Sequence, residues 1–309
     1  MRCGSTWLCA VLKQHPDLRI ADEKEMDFFF MPRMLEHDLR WYAAHFAPQS
    51  GEQPKPVRGE VSPRYARLKG WQVRRIAELL PDLRIILTLR HPIKRAWSQA
   101  LYDFGHLTKR DVRTVRPFEF MRQLERARSR LSSDYPRMIR IWSDAFGREA
   151  LHIDFFDRLR DDPQPYVNDV LKHLGASTPW TLPDSFVNKK VWATNSLVKH
   201  EPAIPEVVQC YIAGRLLKPT EQLNEMLEGR VTHWVEEMRG LRSRRRPSWR
   251  ILEAINRILF ALPERSAYEA YHAIMDLQLY SRWRQIRAEG ASCGEVSPQP
   301  GFVRSERIG

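Results

Sequence analysis

Three observations predict an α/β fold in which a parallel central sheet is flanked by helices and followed by a C-terminal helical extension. Candidate strands alternate with amphipathic helices along the first two thirds of the chain. The run Arg84-Ile85-Ile86-Leu87-Thr88-Leu89 is apolar at consecutive positions, as a strand buried on both faces requires. Beyond the basic stretch 242–246 only helical periodicity remains. The 309 residues are 43% hydrophobic and include 10 Trp and 13 Phe, enough to bury a core and to exclude a chain that is disordered throughout. No apolar run approaches the roughly 18 residues that span a bilayer, and no secretory leader pattern follows Met1, so a cytoplasmic protein is expected.

Residues 4–15 read as a helix opened by Gly4 and Ser5, with Leu8, Val11 and Leu12 on one face and His15-Pro16 ending it. A second helix is expected over 36–47, where Leu39, Tyr42, Ala43 and Phe46 recur at helical spacing. Residues 57–61 form a short strand stopped by Pro63, and 69–80 an amphipathic helix. The strand 84–89 follows, and His91-Pro92 opens a helix through Phe104. A polar loop at 105–116 leads to helices at 117–130 and 134–146, a third strand at 150–154, and a helix at 163–173 ended by Gly175. Residues 176–200 read as a long loop, a length that is usually functional. Helices are expected at 205–217 and 219–228.

This pattern divides the chain into a main domain over 1–240, a helical extension over 241–289 and a disordered Gly/Ser/Pro tail over 290–309. The extension holds helices at 248–262 and 264–288. Ile251, Ile255, Ile258, Leu259 and Leu262 make one apolar stripe, and Tyr268, Tyr271, Ile274, Met275 and Leu279 another. The stripes suit packing on the main domain, a homodimer contact, or contact with an anionic membrane surface.

The net charge of +12 suits anionic partners: nucleic acid, phosphorylated cofactors, acidic glycans or an anionic membrane. An Arg-rich codon preference explains it equally. Cys3, Cys9, Cys210 and Cys293 form no C-x-x-C pair, so no disulfide framework or zinc site is expected, and the His spacing offers no metal site either.

Three segments carry chemistry. In Arg2-Cys3-Gly4-Ser5-Thr6-Trp7 a basic residue, a glycine and two hydroxyls meet a helix start, where free backbone N–H groups and the helix dipole attract an anion. A plain Ser or Thr helix cap would leave the same pattern, and the G-x-x-x-x-G-K-[ST] spacing of nucleoside-triphosphate loops is absent. In Arg90-His91-Pro92-Ile93-Lys94-Arg95-Ala96-Trp97-Ser98, Arg90 ends the strongest strand, where open α/β sheets bind ligands, and Ser98 follows early in the next helix. A guanidinium and a hydroxyl so placed can share a phosphate, although a basic helix start with Lys94 and Arg95 in water reads the same way. In Lys24-Glu25-Met26-Asp27-Phe28-Phe29, Glu25 stands before an aromatic pair and can act as a general base at the edge of a dry pocket.

Together these segments resemble the sulfotransferases that use 3′-phosphoadenylyl sulfate (PAPS), in particular the branch of bacterial and heparan-sulfate sulfotransferase domains. The turn at Arg2–Trp7 resembles that family's 5′-phosphosulfate loop, K-x-G-T-T-x-L. Arg90 to Ser98 resembles its 3′-phosphate motif, R-x-P-x-x-R-x-x-S. Glu25 with Phe28-Phe29 resembles E-x-x-F-F. Trp41-Tyr42, Gly59-Glu60-Val61-Ser62-Pro63-Arg64-Tyr65, Phe186-Val187-Asn188-Lys189 and Trp234 are further matches, in the same order over residues 1–234.

The resemblance implies a P-loop-like nucleotide-binding architecture, with PAPS as sulfuryl donor and no metal. It implies Glu25 as the base that takes a proton from an acceptor hydroxyl or amine. Arg2, Cys3, Gly4, Ser5, Thr6 and Trp7 would hold the phosphosulfate, Arg90 and Ser98 the 3′-phosphate, and Lys189 would close over the nucleotide. The implied partners are PAPS, its bisphosphate product, and a glycan or small alcohol as acceptor, with no nucleic acid.

Two residues depart from the family pattern. Arg2 replaces its Lys, and Val61 stands where heparan-type members often carry Lys, against a glycosaminoglycan acceptor. The turn should also follow a buried strand, and only Met1 precedes Arg2, so 6–12 further residues are expected upstream. A kinase on a P-loop-like fold lacks here its Gly-Lys-Ser/Thr and a metal-binding Asp after a strand. A basic nucleic-acid-binding protein leaves the three segments unexplained.

Overall fold

The structure, a computed structural model, describes residues 2–30, 33–48, 51, 53–187, 202–256, 258, 260 and 262–292. Helix α1 (Ser5–Leu12) leads into strand β1 (Leu18–Ile20), followed by α2 (Arg33–Glu36) and α3 (Leu39–Ala44). Strand β2 (Val57–Gly59) runs through a 3₁₀ turn (Pro63–Arg67) into α4 (Gly70–Leu79), β3 (Ile85–Leu89) and α5 (Pro92–Tyr102). Helices α6 (Pro117–Glu125), α7 (Ala127–Ser133) and α8 (Tyr135–Phe146) precede β4 (Leu151–Phe155), α9 (Phe156–Asp161), α10 (Pro163–Leu174) and α11 (Asp184–Val187). Then come α12 (Glu206–Met226), α13 (Thr232–Ser243), α14 (Pro247–Asn256) and α15 (Leu262–Ser292).

The class is α/β and every strand pair is parallel. Instead of one central sheet, however, the described strands form two pairs. Leu18, Arg19 and Ile20 of β1 lie beside Val57, Arg58 and Gly59 of β2, and Ile85–Leu89 of β3 beside Leu151–Phe155 of β4. Side-chain packing joins what hydrogen bonds do not: Ile86 of β3 packs against the cluster that holds Leu18 and Ile20.

Several expected boundaries shift for local reasons. Strand β1 was not expected, because three residues carry too little alternation to register. The helix expected at 36–47 divides at Asp38, whose carboxylate caps α3 by accepting from the Trp41 N–H at 2.8 Å. The helix expected at 117–130 breaks at Arg126, which is extended (φ −57°, ψ 138°). The two helices expected around Pro219 are the single helix α12, held by buried Tyr211, Leu217 and Leu223 on both sides of the proline. The loop expected at 105–116 contains a helical turn at Asp103–Leu107 and another at Val112–Thr114. Residues 188–200 of the long loop, Lys189 among them, and the tail from residue 293 lie outside the described residues; α15 runs to Ser292, past the expected end at 288.

The core joins the sheet layer to distant helices. Phe28, Phe29, Val73, Ile85, Leu89 and Trp142 share one cluster with Leu279, Trp283 and Ile286 of α15. Trp283 stacks on Phe29 with ring centres 6.0 Å apart. Among the described residues no helix is long and apolar enough to cross a membrane.

Candidate functional site

The chemistry-bearing segments leave the carboxyl ends of strands, where a parallel sheet collects loops on one side. After β1 comes Glu25, after β2 Glu60 to Tyr65, and after β3 Arg90. Helix α1 begins at a turn that only glycine makes without strain: Gly4 has φ +82° and accepts from the Leu8 N–H at 3.0 Å. Gly4, not Ser5 or Thr6, is the cap residue of the helix. Thr6 is exposed and Ser5 half-buried, whereas Cys3 and Trp7 are buried; Trp7 packs edge-on against Phe186.

The first two segments meet. The Arg2 Nε donates to the Ser98 hydroxyl at 3.2 Å, and the Arg90 guanidinium donates to the Arg2 carbonyl at 3.1 Å. Tyr102 and Phe156 supply ring faces to the two guanidiniums, under Arg2 at 5.0 Å and under Arg90 at 4.7 Å. The buried Tyr135 hydroxyl fixes the Arg90 backbone by donating to its carbonyl at 2.8 Å. His91 is held uncharged: burial, then Lys94 and His233, push its imidazole down to about 3. Arg95 does not face water. It is fully buried and donates to the Ser129 carbonyl and the Ser133 hydroxyl, so it braces α5 against α7. The site thus gathers two guanidiniums, the Ser98 hydroxyl and a helix start, a donor set for a ligand with more than one anionic group.

Lys13, the residue after α1, donates to the Asp22 carbonyl at 3.1 Å, just before the third segment, whose Phe28 and Phe29 belong to a different apolar cluster from the buried residues of α1. Glu25 keeps 24% of its side chain exposed beside fully buried Met26 and Phe28. Two cations face it, Lys24 at 3.6 Å and Arg64 at 3.7 Å. Arg64 also reaches the Asp27 carboxylate at 3.1 Å, so one guanidinium spans both acids. Burial raises Asp27 to about 6, against the pull of Arg64.

The sequence alone assigns no role to Asp27, Glu60 or Arg64. Their partners come from other segments, so spacing alone could not assign one. The available signal was a carboxylate directly after a short strand, followed by Ser-Pro-Arg-Tyr.

A sequence model of the Sulfotransferase family matches residues 49–181, a span that includes Glu60, Arg64, Arg90 and Ser98. A curated relative, "Membrane-associated sulfotransferase kil1" of Dictyostelium discoideum, is 29% identical over 105 residues. The match takes in 34% of this chain and about a fifth, 21%, of that protein's length. Among solved structures, a sulfotransferase from Alicyclobacillus acidocaldarius superposes with a TM-score of 0.57 at 24% identity, over 75% of this chain and 94% of that one. That likeness gives the fold, which is P-loop-like.

Proposed function

We propose that the chain is a sulfotransferase that moves a sulfuryl group from PAPS to an acceptor hydroxyl or amine, a reading that the family match over residues 49–181 supports. The observation that carries this reading is the meeting of Arg2, Arg90 and Ser98 at the first turn of α1, through bonds of 3.1 and 3.2 Å. PAPS, when bound, supplies a sulfuryl group whose bond to the 5′-phosphate oxygen breaks as an acceptor atom bonds to sulfur.

The chain's own residues divide the work. Arg90 and Ser98 hold the 3′-phosphate, which separates this donor from ATP. Arg2, the N–H groups that follow Gly4, and the hydroxyls of Ser5 and Thr6 neutralise charge that grows on the leaving phosphate oxygen. Glu25 takes the acceptor proton, with Lys24 and Arg64 beside its carboxylate at 3.6 and 3.7 Å. Lys189 is assigned to the nucleotide by resemblance alone. Carbohydrate hydroxyls are the proposed acceptors, ahead of a small alcohol.

The deciding experiment feeds labelled PAPS and the protein to a bacterial lysate and identifies the labelled product by mass spectrometry. Label that appears only with the protein supports the reading; its absence, with binding of ATP or DNA in preference to adenosine 3′,5′-bisphosphate, overturns it.

A second observation concerns the partner surface. Ile251 and Ile255 on α14, Ile258 between the helices and Leu262 at the start of α15 are 47–65% exposed, downstream of the arginines at 242–246. This basic, apolar face supports docking on an anionic membrane surface.

A further inference from the structure

Glu60 lies outside the contacts assigned to donor or acceptor, yet it organises the segment that bears Glu25. Its carboxylate accepts three hydroxyl protons: from Tyr42 at 2.9 Å, from Tyr65 at 2.8 Å and from Ser62. Burial pushes the Glu60 carboxyl upward and the three donated bonds oppose it; in the ionised form the carboxylate only accepts, so all three O–H groups point toward it. That orientation leaves oxygen lone pairs facing outward. The Ser62 oxygen accepts the Asp27 N–H at 3.0 Å, and the Tyr65 oxygen accepts the Phe29 N–H at 3.2 Å. The rings add a grip: Tyr42 stacks on Phe28 at 4.7 Å and meets Phe29 edge-on at 5.2 Å. Asp27 stands in the left-handed region at φ 51°, a conformation held by bonds from outside the segment.

We propose that Glu60 is a positioning residue for the reaction: by orienting the Ser62 and Tyr65 hydroxyls it pins the amides of Asp27 and Phe29 and so fixes the approach of Glu25. This rests on the reading of Glu25 as the base. Glu60→Gln keeps the shape but brings a donor into a ring of donors, so at least one hydroxyl must turn.

Four variants of the full chain test it. In Glu60→Gln the Asp27 and Phe29 amides should exchange with deuterium at least about tenfold faster. kcat for label transfer from PAPS should fall by about 10²-fold, the cost of a misplaced catalytic group, while KM for PAPS and binding of adenosine 3′,5′-bisphosphate stay within about twofold. Ser62→Ala should release the Asp27 amide alone, and Tyr65→Phe the Phe29 amide alone; these two variants decide the matter should Glu60→Gln fail to fold. Glu60→Asp should recover part of the rate. Unchanged exchange at both amides, or retained transfer with both amides released, overturns the proposal. Failure of the base reading looks different: Glu25→Gln would then keep its turnover while the exchange pattern of the Glu60 series stayed as described.

Discussion

The Arg90 guanidinium donates to the main-chain carbonyl of Arg2 across a gap of 88 residues, at 3.1 Å. The contact ties the carboxyl end of β3 to the turn that opens α1. One arginine therefore both faces the candidate ligand and supports the backbone that faces it. Replacing Arg90 disturbs two things at once, whereas Ser98, which accepts from the Arg2 Nε, can be changed more cleanly.

The first prediction follows from that difference. Ser98→Ala should weaken adenosine 3′,5′-bisphosphate by about tenfold and leave the 3′-dephosphorylated nucleotide unchanged, since a hydrogen bond to a charged group is worth about 1.5–3 kcal/mol. Arg90→Ala should weaken the bisphosphate further and also cost something on the 3′-dephosphorylated nucleotide through the Arg2 turn. Calorimetry with both nucleotides reads this directly. Equal losses for the two nucleotides in Ser98→Ala would remove the 3′-phosphate assignment.

Gly4→Ala tests the turn itself. A Cβ at this position would meet Leu159 side-chain atoms at 3.3 and 3.4 Å and Phe156 at 3.4 Å, in a backbone with φ +82°. Left-handed backbone costs a residue with a Cβ about 1–2 kcal/mol, and the contacts add to it. Thermal denaturation should show that loss, and bisphosphate binding should drop with it. A fully stable variant that binds normally would show that the turn is free to move.

Glu25→Gln should abolish most transfer while nucleotide binding stays intact. A general base contributes about 10²–10⁴-fold, and the loss should lie in kcat because the carboxylate acts on the acceptor. Near-normal turnover on an identified acceptor would make Glu25 a structural partner of Lys24 and Arg64.

Asp27 gives a pH-dependent outcome. Burial raises it from 3.8 to about 6, with Arg64 opposing, so its charge is disfavoured in the folded state. A folded carboxyl above its unfolded value contributes stability that is present below pH 3.8 and lost as pH rises through about 6. Asp27→Asn removes that loss and tolerates φ 51°. The variant should therefore melt higher than the parent at pH 8, with the gap closing toward pH 4. A gap that does not depend on pH would mean that the Arg64 pair outweighs burial.

How much of this could be read beforehand depended on the range of each interaction. Arg90 and Ser98 were legible because a strand end and the next helix place them by local geometry, eight residues apart. The Arg2 turn was legible only in part, because glycine and two hydroxyls before an apolar helical stripe read equally as a plain helix cap. Glu60 was not, because its meaning lies in Tyr42, 18 residues earlier, and in amides 33 and 31 residues away, reached through Ser62 and Tyr65. Arg95 was misjudged as a water-facing alternative because its buried acceptors lie on another helix. The division into two strand pairs was likewise invisible, since periodicity reports a strand but not its neighbour.

The last prediction concerns the apolar face near residue 255. Ile251 and Ile258 are 65% and 63% exposed, and Ile274 and Leu277 on α15 are 62% and 75% exposed. Exposed apolar side chains in this number mark a surface that meets a partner. From residue 242 to 289 the chain carries ten arginines against five acidic residues, a charge that suits anionic lipid headgroups. Full-length protein should therefore float with vesicles of phosphatidylcholine mixed with phosphatidylserine and stay behind with phosphatidylcholine alone. Raising the salt should weaken flotation, because headgroup attraction is screened. Ile255→Glu with Ile258→Glu should reduce it by about tenfold or more at unchanged melting temperature, since each exposed isoleucine adds apolar area to the contact. Light scattering separates the rival occupant: a dimer that the double variant dissociates, with no flotation by the parent, would assign this face to a second copy of the chain and sink the membrane reading.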